Sequence, residues 1–258
     1  MPNWVHNIVK VRGDEEEIDR MLDAVRNEET GEPMDFCRLV PVPDDLMIEH
    51  GAIIPRALSA YLSAVNEDNP HCDDWHYPKM PESMFGGITY ALMDYSKLTY
   101  YIATGCSPFE FEKDEYELEK LVSLGRKYAD NYFHYGFLTW YDYCRTKWGT
   151  KWNANYPCQH RVEPGSFPDA WEIEFDTAWS APTPIYEMLV SKFPTLKFEI
   201  HWADEDFGSN TGYANGVDGV LYVKWFKDQS REAFEHAAMV FETTLEAEGI
   251  TLKEEGGE

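Results

Sequence analysis

The sequence has few cysteines, and their spacing argues against the sites that cysteine usually builds. The 258-residue chain contains five, which lie far apart and form no Cys-x-x-Cys pair. An iron–sulfur cluster needs about four closely arranged thiolates, and structural zinc sites draw on closely spaced cysteines and histidines. We therefore expect free thiols in a reducing cytosol and no cofactor held by them. These residues are Cys37, Cys72, Cys106, Cys144 and Cys158.

Long apolar runs are also missing, and so is the pattern of a targeting segment. No stretch approaches the ~20 apolar residues that a membrane-spanning helix requires. The first residues, MPNWVHN, have neither the basic start nor the apolar core of a signal peptide. We expect a cytoplasmic protein that has no contact with a membrane.

Known catalytic and nucleotide-binding motifs are absent. The sequence has no GxxxxGK[ST] loop, no GxGxxG before a helix and no GxSxG elbow. A polar loop offers five potential metal ligands within six residues: His71, Cys72, Asp73, Asp74 and His76. Its adjacent His-Cys pair suits one tetrahedral ion poorly, so a solvated loop is favoured over a metal site. The sequence thus nominates no catalytic, cofactor-binding or metal-binding residue, and a non-enzymatic protein is favoured.

Basic residues are scarce relative to acidic ones. The 22 Lys and Arg face 47 Asp and Glu, which gives a net charge of −25. The charge is −7 over residues 1–45, −7 over 46–135 and −11 over 136–258, so it is not confined to a tail. Such a field repels nucleic acid and anionic lipid and attracts a protein with a basic surface. Two interpretations stay open: the charge serves solubility, or a folded acidic surface imitates the phosphate array of DNA.

The N-terminal pattern predicts a strand followed by a helix. Residues 4–11 are rich in β-branched and aromatic side chains. Asp14 and Glu17 then have the spacing of a helix capping box. The apolar segment 36–40 ends at a Pro-Val-Pro sequence, which blocks both a helix and a central strand.

Residues 46–137 predict a mostly helical insertion. We expect helices over 56–65, over part of 83–101 and after Asp114, where apolar positions recur at helical spacing. The aromatic run over 128–143 predicts one or two further helices whose rings belong to a core.

The C-terminal part has the clearest strand pattern. Alternating apolar and acidic residues predict strands over 171–175 and 198–202. Two further apolar runs, 213–217 and 220–226, predict a hairpin around Asp218-Gly219. Thr183-Pro184 places proline in the first turn of a helix, and Ser230 is a helix cap.

This order of elements predicts an α+β fold. We expect a ferredoxin-like, βαββαβ-type sheet with helices on one face, a mostly helical insertion and a C-terminal helix. The ferredoxin-like domain would be discontinuous, formed by residues 1–45 and 138–250, with the insertion over 46–137.

Two tryptophan-rich segments stand out as a candidate interaction or structural motif. They comprise Trp148, Gly149, Thr150, Lys151 and Trp152 in the first, and Thr177, Ala178 and Trp179 in the second. In the structural interpretation, these rings close the sheet onto its helices while Lys151 extends its stem along them. In the functional interpretation, they form a hot spot for a partner, since tryptophan is over-represented there.

Several motifs also resemble a known family. The chain contains PNWxxNxVxVxG at residues 2–13, DFxxLVPVP at 35–43, WGTKWNA at 148–154 and FDTAWSAP at 175–182. In this it resembles the YubB-like family of phage- and plasmid-borne proteins with a ferredoxin-like domain. The resemblance covers roughly residues 1–45 and 138–227, and it implies a ferredoxin-like topology and carriage by a mobile genetic element.

The resemblance transfers no catalytic residue, because the family has no assigned biochemical role. The family's opening often reads PNWC, and Val5 replaces that cysteine here. This departure argues against a thiol role at the position.

The favoured hypothesis is an acidic accessory protein of a phage or mobile element that binds a host or defence-related protein. DNA mimicry is one way in which it could bind that protein. The rival hypothesis is an enzyme that acts on a small molecule in a pocket between the sheet and the insertion. Polar groups such as His160, His201 or Asp204 would line this pocket. A third hypothesis is a self-assembling structural protein, which an exposed apolar patch would favour.

Overall fold

The computed structural model describes residues 2–54, 56–58, 61, 115–162 and 170–251. The chain divides into two compact units, Met1–Val42 with Tyr143–Glu258 and Pro43–Asp142. The candidate metal loop at 71–76 and the helix expected within 83–101 lie outside the described residues. Of the helix expected over 56–65, residues 56–58 and 61 are described, and they are helical.

The first unit contains a six-stranded antiparallel sheet. Its spatial order is β2-β3-β1-β4-β5-β6. The strands are β1 (Trp4–Arg12), β2 (Asn155–Arg161), β3 (Trp171–Ala178), β4 (Lys197–Asp204), β5 (Gly212–Val217) and β6 (Val220–Trp225).

The predicted α+β, ferredoxin-like fold is confirmed by this topology. Strands β2, β3, β1 and β4 form the four-stranded order of two interleaved β-α-β units, with β3 between β1 and β2 and β1 between β3 and β4. The hairpin of β5 and β6 extends the sheet beyond β4. Its turn contains Asp218 and Gly219, both at positive φ (53° and 78°), as the Asp-Gly sequence predicted.

Local signals set the ends of the helices in this unit. Helix α1 (Glu15–Val25) begins at Asp14, whose carboxylate accepts from the backbone N–H of Glu17 at 3.2 Å. Acidic residues fill its first turn, where the helix dipole favours them. The other helices are α2 (Phe36–Leu39), α5 (Thr183–Lys192) and α6 (Arg231–Val240), and Ser230 caps the last of these.

Alternation along β1 assigns its residues to two faces of the sheet. The odd-numbered side chains from Val5 to Val11 are buried, and Asn7 among them accepts a hydrogen bond from the Tyr186 hydroxyl of α5 at 2.6 Å. This inner face holds the main core. Its largest fully buried members include Trp202, Tyr186, Phe36, Phe175, Ile18, Met21, Ile173, Ile185 and Leu189.

The even-numbered β1 side chains lie on the outer face, and the C-terminal helix covers part of it. Ile8 packs with Ala203 of β4 and with Ala237 and Val240 of α6. Helix α5 lies on the inner face, as expected, and the separately predicted C-terminal helix α6 lies on the opposite face. Apolar Ile8 on the outer face and an apolar stripe on α6 explain why the helix packs there.

Two local elements were not predicted. The segment 36–40 forms one helical turn, α2, because Asp35 caps it through the N–H of Cys37 at 2.9 Å. Strand β2 was not predicted. It is an edge strand with mostly polar residues, and Pro157 within it is compatible only with an edge or a bulge.

The second unit is helical where it is described. A 3₁₀ turn (Asp44–Leu46) precedes helix α3 (Glu115–Tyr135), and α4 (Trp140–Lys147) follows and continues into the first unit. Asn131 of α3 donates to the carbonyl of Asp45 at 2.7 Å, and Tyr128 donates to that of Glu49 at 2.6 Å. The two helices confirm the helical part of the prediction for the aromatic run. Its Tyr128 and Tyr132 are buried as expected, whereas Phe133 and Tyr135 are exposed. Among the described residues, no helix has both the length and the apolar character that a membrane crossing requires.

Candidate functional site

The two tryptophan-rich segments meet at one corner of the sheet. The Thr150 hydroxyl donates to the carbonyl of Ala178 at 2.8 Å, and the Ser180 hydroxyl donates to the carbonyl of Gly149. Gly149 has φ +81°, and a Cβ added there would lie 2.7 Å from Cδ of Pro184. The close approach and the backbone conformation both require glycine at this position.

The inward half of this motif is structural. Trp148 is buried, donates from Nε1 to the carbonyl of Val40 at 2.8 Å and packs edge-on against Phe36 at a centroid distance of 5.7 Å. Thr177 is buried as well, and its hydroxyl donates to the carbonyl of Ser180 at 2.8 Å. These side chains fix the corner and leave no surface for a partner.

The outward half of the motif is exposed. Trp179 has 55% of its surface exposed and a backbone φ of +72°, which is rare for a bulky residue. Two hydrogen bonds hold this strained backbone. The N–H of Trp179 donates to the carbonyl of Asn3 at 2.9 Å, and the side-chain amide of Asn210 donates to the carbonyl of Trp179 at 3.1 Å. The ring is thus presented to solvent by a fixed backbone.

Trp152 extends the exposed aromatic surface toward the start of β1. It is 38% exposed, its ring lies 6.1 Å from that of Trp4, and the ammonium of Lys151 lies 4.3 Å from its centroid. This contact has the geometry of a cation–π interaction. Trp4, Trp152 and Trp179 are called the tryptophan corner below.

An acidic groove of about 480 Å³ lies on the outer face of the sheet, and Trp4 of the tryptophan corner lines it. One part of its wall is apolar and aromatic and comes from β1 and the end of α6. The other part carries carboxylates, three of them in a row on β3. The lining residues are Trp4, His6, Ile8, Glu172, Glu174, Asp176, Glu205, Val240, Phe241 and Glu242.

His6 lies in the middle of this groove between two carboxylates. Its Nδ1 is 2.8 Å from Asp176 Oδ1, and its Nε2 is 3.4 Å from Glu174 Oε2. The hydrogen bond to Asp176 raises the pKa of His6 above its ordinary value, although burial opposes this effect. Both carboxylates favour the charged form of the ring, and His6 in turn holds these two acidic side chains in place.

A second histidine joins the same acidic row from β2. His160 Nε2 lies 3.2 Å from Glu172 Oε1, and its Nδ1 lies 3.6 Å from Glu174 Oε1. One ligand atom from each of these three residues lies within 4.8 Å of the others, a separation that could hold a metal ion.

The rival pocket hypothesis named three polar residues, and none of them lines the groove. His160 lies at the outer edge of the acidic row. His201 lies 3.4 Å from His236, whose pKa falls to about 4 because burial and the neighbouring His201 disfavour its charged form. Asp204 is buried and accepts from the side-chain amides of Asn3 and Asn210 at 3.3 and 3.0 Å. Its role here is to tie together the ends of β1 and β4.

Sequence reasoning missed the groove, although a signal was present. The alternation of Glu172 and Glu174 with apolar residues predicted only a strand. Together with Asp176 they recur at every second residue, which aligns three carboxylates on the same face. The contacts with His6 and His160 depend on strand pairing across sequence separations that a pattern does not reveal.

Comparisons with known proteins bear on the fold of this unit. Residues 147–245 match the family model described as the ferredoxin-like domain in Api92-like protein. A structural comparison matches the crystal structure of api92 from Yersinia pseudotuberculosis, with 13% sequence identity and a TM-score of 0.40. The match covers 88% of the present chain and 99% of the api92 chain. The comparison with curated proteins gave no match. Strands β2 to β6, helices α5 and α6, and Trp152 and Trp179 of the tryptophan corner thus lie within a segment that is similar to a ferredoxin-like domain.

Proposed function

We propose that this chain is a non-enzymatic binding protein whose acidic groove holds a basic segment of a partner protein. The observation that carries the proposal is the composition of the groove wall. Of the groove-lining residues that the structure describes, five carry carboxylates and His6 alone can carry a positive charge. A partner with Lys or Arg side chains complements this surface.

The apolar part of the wall supports this choice of ligand. Lys and Arg carry an apolar stem below a charged head, so they need both kinds of surface. Trp4 and Phe241 provide aromatic surface beside the carboxylates of Glu205 and Glu242. A small inorganic cation would make no use of that aromatic surface.

The tryptophan corner adds a second contact region. It adjoins the groove through Trp4, and exposed tryptophans held on a fixed backbone cost little ordering on binding. The net charge of −25 attracts a basic partner from a distance and accelerates its association at low salt.

DNA mimicry and carriage by a mobile element are finer parts of the same proposal. Glu172, Glu174 and Asp176 align along β3 with a spacing of about 6.6 Å, which is twice the rise per residue of a strand. Mimicry requires a partner that also binds DNA. The motif resemblance to the YubB-like family supports carriage by a phage or plasmid.

A basic-peptide titration tests the groove. Fluorescence anisotropy would follow a labelled Lys/Arg-rich peptide of about a dozen residues with wild type and with the Glu205→Gln/Glu242→Gln variant. Exposed ion pairs contribute about 0.2–1 kcal/mol each, so the loss of two should weaken binding by about two- to thirtyfold. The matched control, Glu16→Gln/Glu187→Gln, removes two exposed carboxylates from α1 and α5. An equal loss in both variants would indicate nonspecific attraction and refute a groove site.

Capture of a partner tests mimicry. We expect a DNA-binding protein retained at low salt and released by added duplex DNA as well as by high salt. A partner that DNA leaves bound would refute mimicry and retain the basic-segment proposal.

Self-assembly is a second candidate, because strand β6 exposes large apolar side chains at the end of the sheet. Tyr222 is 62% exposed and Trp225 47% exposed, and Val220 is exposed as well. Edge strands of this kind can pair with a second copy. Light scattering after size-exclusion chromatography should show a dimer that Tyr222→Lys converts to a monomer. A monomer at every concentration of the wild type would refute this candidate.

A further inference from the structure

Three side chains on two neighbouring strands converge at the β2 end of the acidic row. His160 comes from β2, and Glu172 and Glu174 come from β3. The register pairs His160 directly with Glu172, which places their side chains on one face. The strand scaffold therefore brings one imidazole and two carboxylates together.

Strand β1 holds the far oxygen of each glutamate. Lys10 lies 3.3 Å from Glu172 Oε2, and His6 lies 3.4 Å from Glu174 Oε2. Asp176 holds His6 in turn at 2.8 Å. Both Oε1 atoms are thus left directed at His160, in the manner of a supporting shell that orients ligands around a metal.

Both ring nitrogens of His160 face carboxylate oxygens. Nε2 lies 3.2 Å from Oε1 of Glu172, and Nδ1 lies 3.6 Å from Oε1 of Glu174. A metal ion bound here would accept the lone pair of one ring nitrogen and would be attracted by both carboxylates.

We propose that His160, Glu172 and Glu174 bind a divalent first-row transition-metal ion of the Zn²⁺ type. One imidazole nitrogen and two carboxylate oxygens are ligands that zinc accepts, whereas an imidazole disfavours Mg²⁺ and Ca²⁺. Water completes the shell, because half of the His160 side chain is exposed.

The distances need only small adjustments. Three ligands at about 2.0–2.1 Å from a tetrahedral ion lie about 3.3 Å apart. The ligand atoms here lie within 4.8 Å of one another, and the pair from His160 and Glu172 lies at 3.2 Å. Rotation of the half-exposed His160 ring and of the Glu174 carboxylate closes the remaining gap.

The metal site is independent of the proposed function, although it shares Glu172 and Glu174 with the groove. His160 does not line the groove, whereas Glu205 and Glu242 do and lie outside the ligand set. His160→Ala should therefore lose metal and retain the basic peptide. Glu205→Gln/Glu242→Gln should bind the peptide more weakly and retain the wild-type affinity for metal, so failures of the two proposals are distinguishable.

Isothermal titration of the metal-free full chain with ZnCl₂ at pH 7 tests the site. We expect one Zn²⁺ per chain and at least a tenfold loss of affinity in both His160→Ala and Glu174→Gln. The control His134→Ala removes an exposed histidine of α3 and should bind as wild type does. Circular dichroism would verify that each variant is folded.

Three results would overturn the proposal. The first is wild-type affinity in folded His160→Ala, and the second is no Zn²⁺ binding by the wild type at millimolar concentration. The third is a thiolate-to-metal absorption band after loading with Co²⁺, which would assign the ion to a cysteine. Visible Co²⁺ bands that need His160, without a thiolate band, would support the imidazole and carboxylate set.

Discussion

The hydrogen bond between Tyr186 and Asn7 joins helix α5 to the central strand, and its removal should measurably destabilise the fold. Asn7 is fully buried. Its amide nitrogen donates to the carbonyls of Val5 and Phe175 at 2.7 and 3.1 Å, and it lies 2.9 Å from the Thr177 hydroxyl. Its Oδ1 accepts from the Tyr186 hydroxyl at 2.6 Å.

Tyr186→Phe keeps the ring and removes only the donor. Asn7 Oδ1 then loses its hydroxyl partner in a buried environment, which costs about 1–3 kcal/mol. Because the aromatic contacts survive, little is lost from packing. For a domain of this size, such a change lowers the melting temperature by about 2–4 °C per kcal/mol.

Urea unfolding followed by tryptophan fluorescence would measure this loss. The control Tyr222→Phe removes a hydroxyl from a side chain that is 62% exposed, so it should change stability by less than about 0.5 kcal/mol. If Tyr186→Phe were as stable as this control, the buried network would not contribute as described. A loss that disappears in the background of Asn7→Leu would assign the effect to this pair.

Two further predictions concern the corner and the C-terminal helix. Gly149→Ala should destabilise the fold by about 2 kcal/mol or more in urea unfolding, because φ is +81° and the new Cβ would contact Pro184. The control Gly31→Ala, at φ +77° with no neighbour within 4 Å, should lower the stability by less. An equal loss of stability in both variants would refute the close-contact argument. The pKa of His236 falls from 6.5 to about 4, so its neutral form contributes stability that is complete above pH 6.5 and is lost as the pH falls toward 4. Since the residue is partly exposed and neighbours His201 and Lys224, we expect a loss of about 1–2 kcal/mol rather than the full shift. Urea unfolding at pH 7 and pH 5 should show a smaller pH effect in His236→Gln, and an unchanged effect would contradict this assignment.

Most of the sheet could be predicted because its strands have simple patterns. In β3, Trp171, Ile173 and Phe175 alternate with acids, and this half-buried pattern identifies a strand whatever its partners are. The helix caps at Asp14 and Ser230 could also be predicted, because each side chain contacts a backbone N–H only three residues away. These elements therefore depend on local sequence alone.

Strand β2 and the histidine contacts could not be predicted because they depend on distant residues. β2 is stabilised by pairing with β3 and carries a bulge between Asn155 and Cys158, so it has no alternation of its own. The pairing of His6 with Asp176 spans 170 residues. The two tryptophan-rich segments were recognised as one motif, but only the structure separates buried Trp148 from exposed Trp152 and Trp179.

The location of a bound basic peptide tests the central claim most directly. We would titrate the peptide into ¹⁵N-labelled protein and follow backbone amide shifts by nuclear magnetic resonance. The account predicts saturable shifts around His6, Glu174, Glu205 and Phe241, with helix α1 unaffected despite its acidic first turn. Shifts spread over every acidic surface, or centred on α1, would contradict a binding groove and leave the charge to serve solubility.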